Sequence, residues 1–328
     1  MMVFFTCDSG SDGFYESVYS DSWVFIANEG NYGATNGTIS MIAENGEIYE
    51  TNILGDVVQS LEVYGDKLIA LINNSNKIKI YDITTEGLSM PGIEIDCDSP
   101  REMVVVDNRV YITSWSGEIK IFNLFNYTFE NPISVSGLPE GIIEKDGKLW
   151  VAVTMELDWT PGSYVYSFDI ETGASEGAYY VDAGPVSLEF VNEILYVSRT
   201  YYDTGPNHGM SMVDGLDVIS VDYGAGIACG GSIVSINNQV YRTLPADQPD
   251  GGIVALDESL GFNANIKIGS YQQSYIYHVE VVDDYLWFAV TNSDDYNYVK
   301  KLTLNGVELA SYKTGIAPGD FAFWSNND

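Results

Sequence analysis

The stretch that decides the fold is SPREMVVVDNRVYITSWSGEIKIFN, residues 99–123. Three runs in it are apolar or alternate between apolar and polar residues: 103–106, 109–113 and 118–122. They are separated by Asp107 and Asn108 and by a polar break at 114–117. Alternation of β-branched and aromatic residues between such breaks predicts three strands, joined by a tight turn and a short loop. One ribbon of this kind cannot bury its own apolar face, so the stretch predicts a repeat.

Six further copies align with this ribbon on Val110, the second residue of its middle strand. The aligned positions are Val24, Leu68, Val110, Leu149, Leu195, Val240 and Leu286. Subtraction gives intervals of 44, 42, 39, 46, 45 and 46 residues. A period of this length with four strands in each unit is typical of β-propellers. The sequence therefore predicts an all-β fold, a seven-bladed β-propeller with four-stranded antiparallel blades.

The two ends of the chain predict how the ring closes. Residues 318–324 have the pattern of an inner strand but no partner strands follow them, whereas the first blade, from Trp23, has no inner strand before it. We expect the C-terminal strand to complete the first blade, because closure pairs an otherwise exposed sheet edge. Residues 21–328 are thus predicted to form one propeller domain, preceded by a separate segment at 1–20.

The composition excludes several classes of partner. The 14 Lys and Arg residues face 47 Asp and Glu residues, for a formal net charge of −33. Nucleic acids and anionic membrane surfaces require a basic footprint, so neither is an expected partner. No apolar run approaches the length that spans a bilayer, and membrane attachment is expected only through a lipid anchor.

The three cysteines are Cys7, Cys97 and Cys229. The start of the chain, MMVFFTC, resembles the end of a bacterial lipoprotein signal peptide, although it lacks a basic region and a full apolar segment. We therefore expect residues 1–20 to comprise a signal-peptide remnant, a lipidated Cys7 and a flexible linker. The alternative is a frayed hydrophobic N-terminus. Cys97 and Cys229 are expected to be part-buried thiols, with a disulfide between them as the other possibility.

Five short blocks carry a resemblance to a known family: NEGN at 28–31, LGD at 54–56, NNSNKI at 73–78, SPR at 99–101 and PEG at 139–141. In this order they resemble the YncE-like seven-bladed propellers of Bacteroidetes cell surfaces, the DUF5074-type proteins. The resemblance spans nearly the whole propeller, is densest in the first 150 residues and weakens after Asp158. It implies an outer-membrane, surface-exposed lipoprotein, or alternatively a periplasmic one, that binds a ligand on one face of the disc. The BtuG-type branch of this family captures cobalamin for a TonB-dependent outer-membrane transporter, so a corrinoid is the implied ligand and such a transporter the implied partner.

Strand geometry predicts where a ligand would bind. The connections that lead into the inner strands and those between the second and third strands emerge on one face, as loops at 28–37, 73–76, 114–117, 156–163, 199–210, 244–252 and 292–298. Long aromatic loops on a rigid scaffold are usual binding surfaces. The loops of the fourth to sixth blades are expected to enclose a ligand opposite Trp115. The repeat equivalents of Arg101 and its neighbour are expected to ring the channel mouth. The predicted ligand-binding residues are Tyr32, Gln59, Asn74, Arg101, Trp115, Glu140, Trp159, Tyr201, Tyr202, His208, Tyr277, His278 and Tyr296.

Other interpretations of the same residues remain open. Arg101 and Glu140, from adjacent blades, are expected to form an ion pair, contact a ligand, or do both. A propeller lactonase would use Arg101, Glu140 and His278 as oxyanion stabiliser, orienting group and base, but no nucleophile motif is present and we expect a non-catalytic protein. With two histidines in the chain, neither a metal site nor a cofactor is predicted, and His208 is expected to face solvent from a loop. A third interpretation is a surface-layer interaction platform, which would present a flat apolar face without a concavity.

Overall fold

The computed structural model describes residues 19–226, 233–244, 251–271, 275–291 and 297–326. Cys7, Cys229 and Tyr296 lie outside these residues, as do residues 1–18 of the predicted segment at 1–20 and most of the predicted loops at 244–252 and 292–298. Every regular element in the described ranges is a β-strand. None of these residues forms a helix long and apolar enough to cross a membrane.

The strands of the first three blades are β1 (Ser22–Asn28), β2 (Thr38–Ala43), β3 (Ile48–Glu50), β4 (Val58–Tyr64), β5 (Lys67–Ile72), β6 (Lys77–Thr84), β7 (Gly87–Leu88), β8 (Ile93–Asp96), β9 (Pro100–Val106), β10 (Arg109–Ser114), β11 (Glu118–Asn123), β12 (Thr128–Phe129) and β13 (Ile133–Ser134). The next two blades contain β14 (Leu138–Lys145), β15 (Lys148–Met155), β16 (Pro161–Asp169), β17 (Ser175–Tyr180), β18 (Pro185–Val191), β19 (Ile194–Tyr202), β20 (Pro206–Asp214) and β21 (Asp217–Ala225). The remaining strands are β22 (Ile233–Ile236), β23 (Gln239–Thr243), β24 (Ile253–Leu256), β25 (Phe262–Ile268), β26 (Tyr275–Val282), β27 (Tyr285–Thr291), β28 (Tyr298–Thr303), β29 (Glu308–Lys313) and β30 (Pro318–Ser325).

The predicted propeller is confirmed. The strands form seven antiparallel sheets, and in every blade but the first the sheet runs outward from an inner strand in sequence order, as in β14-β15-β16-β17. In the second and third blades the outermost position is shared by two short strands, β7 with β8 and β12 with β13. Each of the aligned repeat residues lies in the second strand of its own blade.

The C-terminal strand closes the first blade, as predicted. The strand order of this sheet is β3-β2-β1-β30. β30 pairs with β1 in a register that places Trp324 opposite Trp23 and Phe321 opposite Ile26. The indole Nε1 of Trp324 also donates a hydrogen bond of 2.9 Å to Asp66 in the second blade. The last strand therefore closes the ring by pairing with β1 of the first blade, and its tryptophan also contacts the second blade.

The organising ribbon folds as its pattern predicts. Val110 in β10 lies opposite Val105 of β9 and Phe122 of β11. The turns that join the inner to the second strands contain residues with positive φ: Gly65, Asp107, Asp146, Asn192, Asn237 and Asp283. Glycine, aspartate and asparagine adopt this backbone conformation most readily, which explains why the turn signals were reliable.

The core lies between neighbouring blades rather than within one sheet. Ile69 and Leu71 of the second blade, for example, pack with Val110 and Ile112 of the third. Cys97 is buried in this same interface. The alternative prediction, a disulfide between Cys97 and Cys229, involves a residue outside the described ranges. Each ribbon thus buries its apolar face against the next copy, which is the physical reason that the repeat was required.

The predicted loop at 199–210 is wrong. β19 continues to Tyr202 and β20 begins at Pro206, so the connection between them is limited to residues 203–205. The two strands stay in register to their ends, with Thr200 opposite His208. The pairing of β19 with β20 continues to the ends of both strands, although the side chains at these ends are polar and aromatic. The fourth-blade loop is also shorter than predicted, since β16 already begins at Pro161.

Candidate functional site

A cavity of about 790 Å³ opens at one end of the central channel. Its floor is formed by the first residues of several inner strands, and its rim by the loops at 28–37 and 73–76 together with Trp115 and Trp159. This is the face on which the sequence predicts the ligand. The flat face without a concavity that an interaction platform would present is not found here.

Most of the predicted ligand-binding residues meet in this cavity. The residues among them that line it are Tyr32, Gln59, Asn74, Arg101, Trp115, Glu140, Trp159, Tyr277 and His278. Tyr201 and Tyr202 instead line a smaller neighbouring cavity of about 250 Å³, which shares Arg101, Trp115, Glu140 and Trp159 with the large one. The two spaces are therefore adjacent parts of one mouth.

His208 does not belong to the site. It lies in β20 with only 3% of its surface exposed, and its ring stands 5.4 Å from that of Tyr223. The expectation that it faces solvent from a loop is wrong, because the hairpin of β19 and β20 extends past it. Tyr296 lies outside the described residues.

Arg101 and Glu140 form the ion pair that the sequence suggested between adjacent blades. The guanidinium donates from Nη2 to Oε1 of Glu140 at 2.6 Å and from Nε to Oε2 at 2.9 Å. Glu140 also accepts a hydrogen bond of 2.9 Å from Nε1 of Trp115. The guanidinium lies over the Trp115 ring, 4.3 Å from its centroid. Because the side chains of Arg101 and Glu140 are only 16% and 9% exposed, this charge-assisted pair is held in a fixed geometry.

The two tryptophans of the rim contact each other. Trp115 and Trp159, from the third and fourth blades, meet edge to face with their ring centroids 5.7 Å apart. The fourth-blade loop therefore packs beside Trp115 rather than opposite it, which corrects the predicted arrangement. Trp159 remains 64% exposed, so a large aromatic face is available at the mouth.

Asn74 is held by structural contacts of its own loop. Its amide Nδ2 donates to Asp56, whose carboxylate also accepts from the backbone N–H of Gly33 at 3.0 Å. The neighbouring Asn73 donates to the backbone oxygen of Pro100 at 2.7 Å. These bonds tie the loops of the first three blades together. The NNSNKI and LGD blocks thus have a positioning role at the rim.

Sequence reasoning missed several acidic residues that face the channel. Glu62, Glu189 and Glu280 occupy the same repeat position, three residues after the equivalents of Arg101. Alternate residues of a strand point to the same side, so this position faces the axis together with the one that includes Glu102 and Asp320. Glu29 joins them from the rim, where both its carboxylate oxygens accept from Tyr277 Oη, at 2.9 and 3.0 Å. The recurring glutamate in the inner-strand repeats was the available signal.

Burial and mutual repulsion raise the pKa of these carboxyl groups. Burial raises the pKa of Glu29 to about 7, partly offset by the hydrogen bond from Tyr277 and the charge of Arg101. Burial and the nearby charge of Glu280 raise the pKa of Asp320 to about 7, against the effect of His278. Burial also raises the pKa of Glu280 to about 8, and it lowers the pKa of His278. The site is therefore rich in carboxyl groups that take up a proton near neutral pH, and it is poor in positive charge.

Comparison with known proteins supports the fold and nothing finer. No family profile matches the chain, and no curated protein matches it. Among solved structures, a protein from Lactobacillus plantarum covers 93% of this chain and 99% of its own, with a TM-score of 0.66 at 10% identity. A protein described as a "putative 6-phosphogluconolactonase" from Bacteroides uniformis covers 93% of this chain and 100% of its own, with a TM-score of 0.64 at 13% identity. A similarly described protein from Bacteroides fragilis covers 93% and 98%, with a TM-score of 0.63 at 12% identity.

Proposed function

We propose that this protein captures a small organic ligand at the channel mouth, without changing it chemically, and that the ligand is a corrinoid. The observation that carries the proposal is the pairing of an exposed aromatic wall with a floor of hydrogen-bond acceptors in one cavity. Trp115 and Trp159 supply the wall, Gln59 and Glu102 contribute amide and carboxyl oxygens to the floor, and Glu29 contributes its carboxyl oxygens from the rim. A corrinoid presents a large flat face and many amide N–H donors, which match these two surfaces. The resemblance to YncE-like surface proteins supports the same ligand.

Arg101 supports ligand capture better than catalysis. Its charge is already neutralised by Glu140 through two short hydrogen bonds. Stabilising an oxyanion requires donors directed at the developing charge, and these donors are directed at a carboxylate instead. The pair fixes the shape of the mouth, and preorganised walls reduce the entropy cost of binding.

Calorimetric titration with cyanocobalamin tests the proposal. We expect saturable heat at micromolar protein, and roughly five- to thirtyfold weaker binding for Trp159→Ala, since stacking on an exposed tryptophan contributes roughly 1–2 kcal/mol. Phe125→Ala is the matched control, because Phe125 is 85% exposed but lines neither part of the mouth. Absence of heat in the wild-type protein, or equal affinities for both variants, would overturn the corrinoid assignment.

We also propose attachment to the outer membrane through a lipid on Cys7, with delivery of the ligand to a TonB-dependent transporter. The support is the MMVFFTC segment and the family resemblance. Intact-mass measurement of protein recovered from the membrane fraction should give the mass of a diacyl or triacyl modification. The Cys7→Ser variant should appear unmodified in the soluble fraction. An unmodified wild-type mass in the membrane fraction would contradict the anchor.

Hydrolysis of an uncharged lactone is the second candidate function. It is favoured by His278, whose lowered pKa keeps its imidazole neutral at pH 7 and therefore able to accept a proton. The two structural neighbours described as lactonases add weak support, since their identities of 13% and 12% reach only the fold. The carboxyl groups of the cavity disfavour a phosphorylated substrate. Acid release from glucono-δ-lactone that is lost in His278→Gln would establish this activity, and a rate equal to the uncatalysed one would dismiss it.

A further inference from the structure

Three side chains with metal-ligating atoms converge where the large cavity meets the central channel. His278 and Glu280 extend from β26 in the seventh blade, and Asp320 extends from β30 in the first blade. One ligand atom from each lies within 4.8 Å of the other two. The Nε2 atom of His278 is 3.6 Å from Oε2 of Glu280 and 3.8 Å from Oδ1 of Asp320. These separations exceed a hydrogen bond, so the atoms face one another without bonding directly.

Glu280 provides an observation, independent of the spacing, that points to a cation. Its Oε2 atom is shielded from solvent and accepts no hydrogen bond. The same side chain is 41% exposed overall, so the carboxylate turns this one oxygen away from the open channel and toward His278. A carboxylate oxygen enclosed without a donor is costly, and buried charges are normally paired or coordinate metals.

Two backbone N–H groups hold the carboxylate of Asp320 in place. Its Oδ2 atom accepts a hydrogen bond of 2.6 Å from the N–H of Leu61, and its Oδ1 atom accepts one of 3.0 Å from the N–H of Phe321. Metal-binding carboxylates are usually held in this way. The contact to Leu61 also crosses from the first to the second blade, so the ring itself fixes the carboxylate.

The spacing of the ligand atoms fits one small ion. A tetrahedral Zn²⁺ with bonds of about 2.0–2.2 Å places its ligand atoms about 3.3–3.6 Å apart. The separations of 3.6 and 3.8 Å are close to this value, and small side-chain rotations complete the match. One imidazole with two carboxylates is a borderline donor set, which suits Zn²⁺ or Co²⁺ better than Ca²⁺ or Mg²⁺.

We propose that His278, Glu280 and Asp320 bind one divalent transition-metal ion, of the Zn²⁺ class, in the central channel. Glu62 and Glu102 line the same channel and place further carboxyl oxygens near the three ligands. The ion is reached from solvent, because Glu280 lines both the large cavity and a smaller one of about 270 Å³ beside the later residues of the inner strands. His278, Glu280 and Asp320 also line the cavity proposed to take the corrinoid, so the two proposals share one part of the molecule but rest on different observations.

A titration of chelator-treated protein with Co²⁺ tests the site. We expect intense visible d–d absorption that saturates at one equivalent and is displaced by Zn²⁺, since Co²⁺ of low coordination number absorbs strongly. His278→Gln and Glu280→Gln should each weaken Zn²⁺ binding at least about tenfold. Glu189→Gln is the matched control, because it removes a nearby channel charge without removing a ligand atom, and it should change the affinity less than about threefold.

Two results would overturn the proposal. One is the absence of saturable Co²⁺ or Zn²⁺ binding to the wild-type protein. The other is equal weakening of metal binding in all three variants, which would mean that the acidic molecule accumulates cations diffusely.

Melting curves of each variant in chelator establish that it is folded before titration. Retained folding with lost metal binding in either ligand variant supports the site. Cyanocobalamin titration with and without Zn²⁺ separates failure of this site from failure of ligand capture.

Discussion

At the residue scale, Glu140 is the most heavily engaged side chain of the channel mouth. It accepts from both Arg101 and Trp115 and is 9% exposed. We predict that Glu140→Ala lowers the free energy of unfolding by about 3 kcal/mol, because it leaves the Arg101 charge enclosed and uncompensated. Urea denaturation followed by tryptophan fluorescence measures this difference.

The matched comparison is the double variant Arg101→Met with Glu140→Leu. Replacing a buried pair by apolar residues of similar size is often nearly neutral, so the double variant should be more stable than Glu140→Ala. An equal loss of unfolding free energy in Glu140→Ala and in the double variant would show that the two side chains stabilise the protein through packing rather than through their charges. A loss below about 0.5 kcal/mol in Glu140→Ala would contradict the prediction, because it is typical of exposed ion pairs.

Glu29 makes a prediction about pH. Burial raises its pKa from 4.5 to about 7, with further effects of Tyr277, Arg101, Glu140 and Asp320. The folded state therefore binds a proton more tightly than the unfolded state, and Glu29 costs stability as the pH rises from about 4.5 through 7. Glu29→Gln should raise the melting temperature by about 2–4 °C at pH 8 and leave it unchanged at pH 4.5. Scanning calorimetry in chelator checks both values.

The control for Glu29 is Glu86→Gln, a carboxylate on an exposed tight turn. Its removal should change the melting temperature similarly at both pH values. If Glu29→Gln also changes the melting temperature equally at both pH values, the prediction that the pKa of Glu29 is raised is wrong.

At the scale of the strand, neighbouring inner strands approach closely at the mouth. A Cβ atom added to Gly141 in β14 would lie 2.1 Å from the backbone oxygen of Val186 in β18. We predict that Gly141→Ala destabilises the protein by about 2 kcal/mol, since it forces two blades apart. Chemical denaturation measures the loss. Gly205→Ala is the control, because no atom lies within 4 Å of its added Cβ and the effect should be near zero.

The strands also show which structural features the sequence patterns could predict. The period of the repeat located every second strand, and the turn residues located the hairpins, because both depend on local backbone preferences. The end of the hairpin at 203–205 could not be predicted, since polar side chains there do not show whether the backbone ladder continues. His208 was misplaced for the same reason.

At the scale of the whole molecule, the net charge of −33 acts against compactness. We predict that the melting temperature at pH 8 rises when NaCl is increased from 10 mM to 0.5 M, because salt screens the repulsion among the carboxylates. Near the isoelectric point of about 4.1 the same salt should have little effect. Differential scanning fluorimetry measures both series, and a melting temperature at pH 8 that does not depend on salt would contradict the prediction.

The sequence alone determined the blade number, the strands that align between repeats, the closing strand and the inner-strand positions that ring the channel. These follow from period-2 patterning, turn chemistry and the need to bury one face of each ribbon. Only the tertiary structure decided which ring residues meet. It selected the ion pair from the alternatives that the sequence left open for Arg101 and Glu140, and it brought His278 close to Asp320 across a blade boundary. The directions of these side chains depend on how the ring closes, which no local pattern encodes.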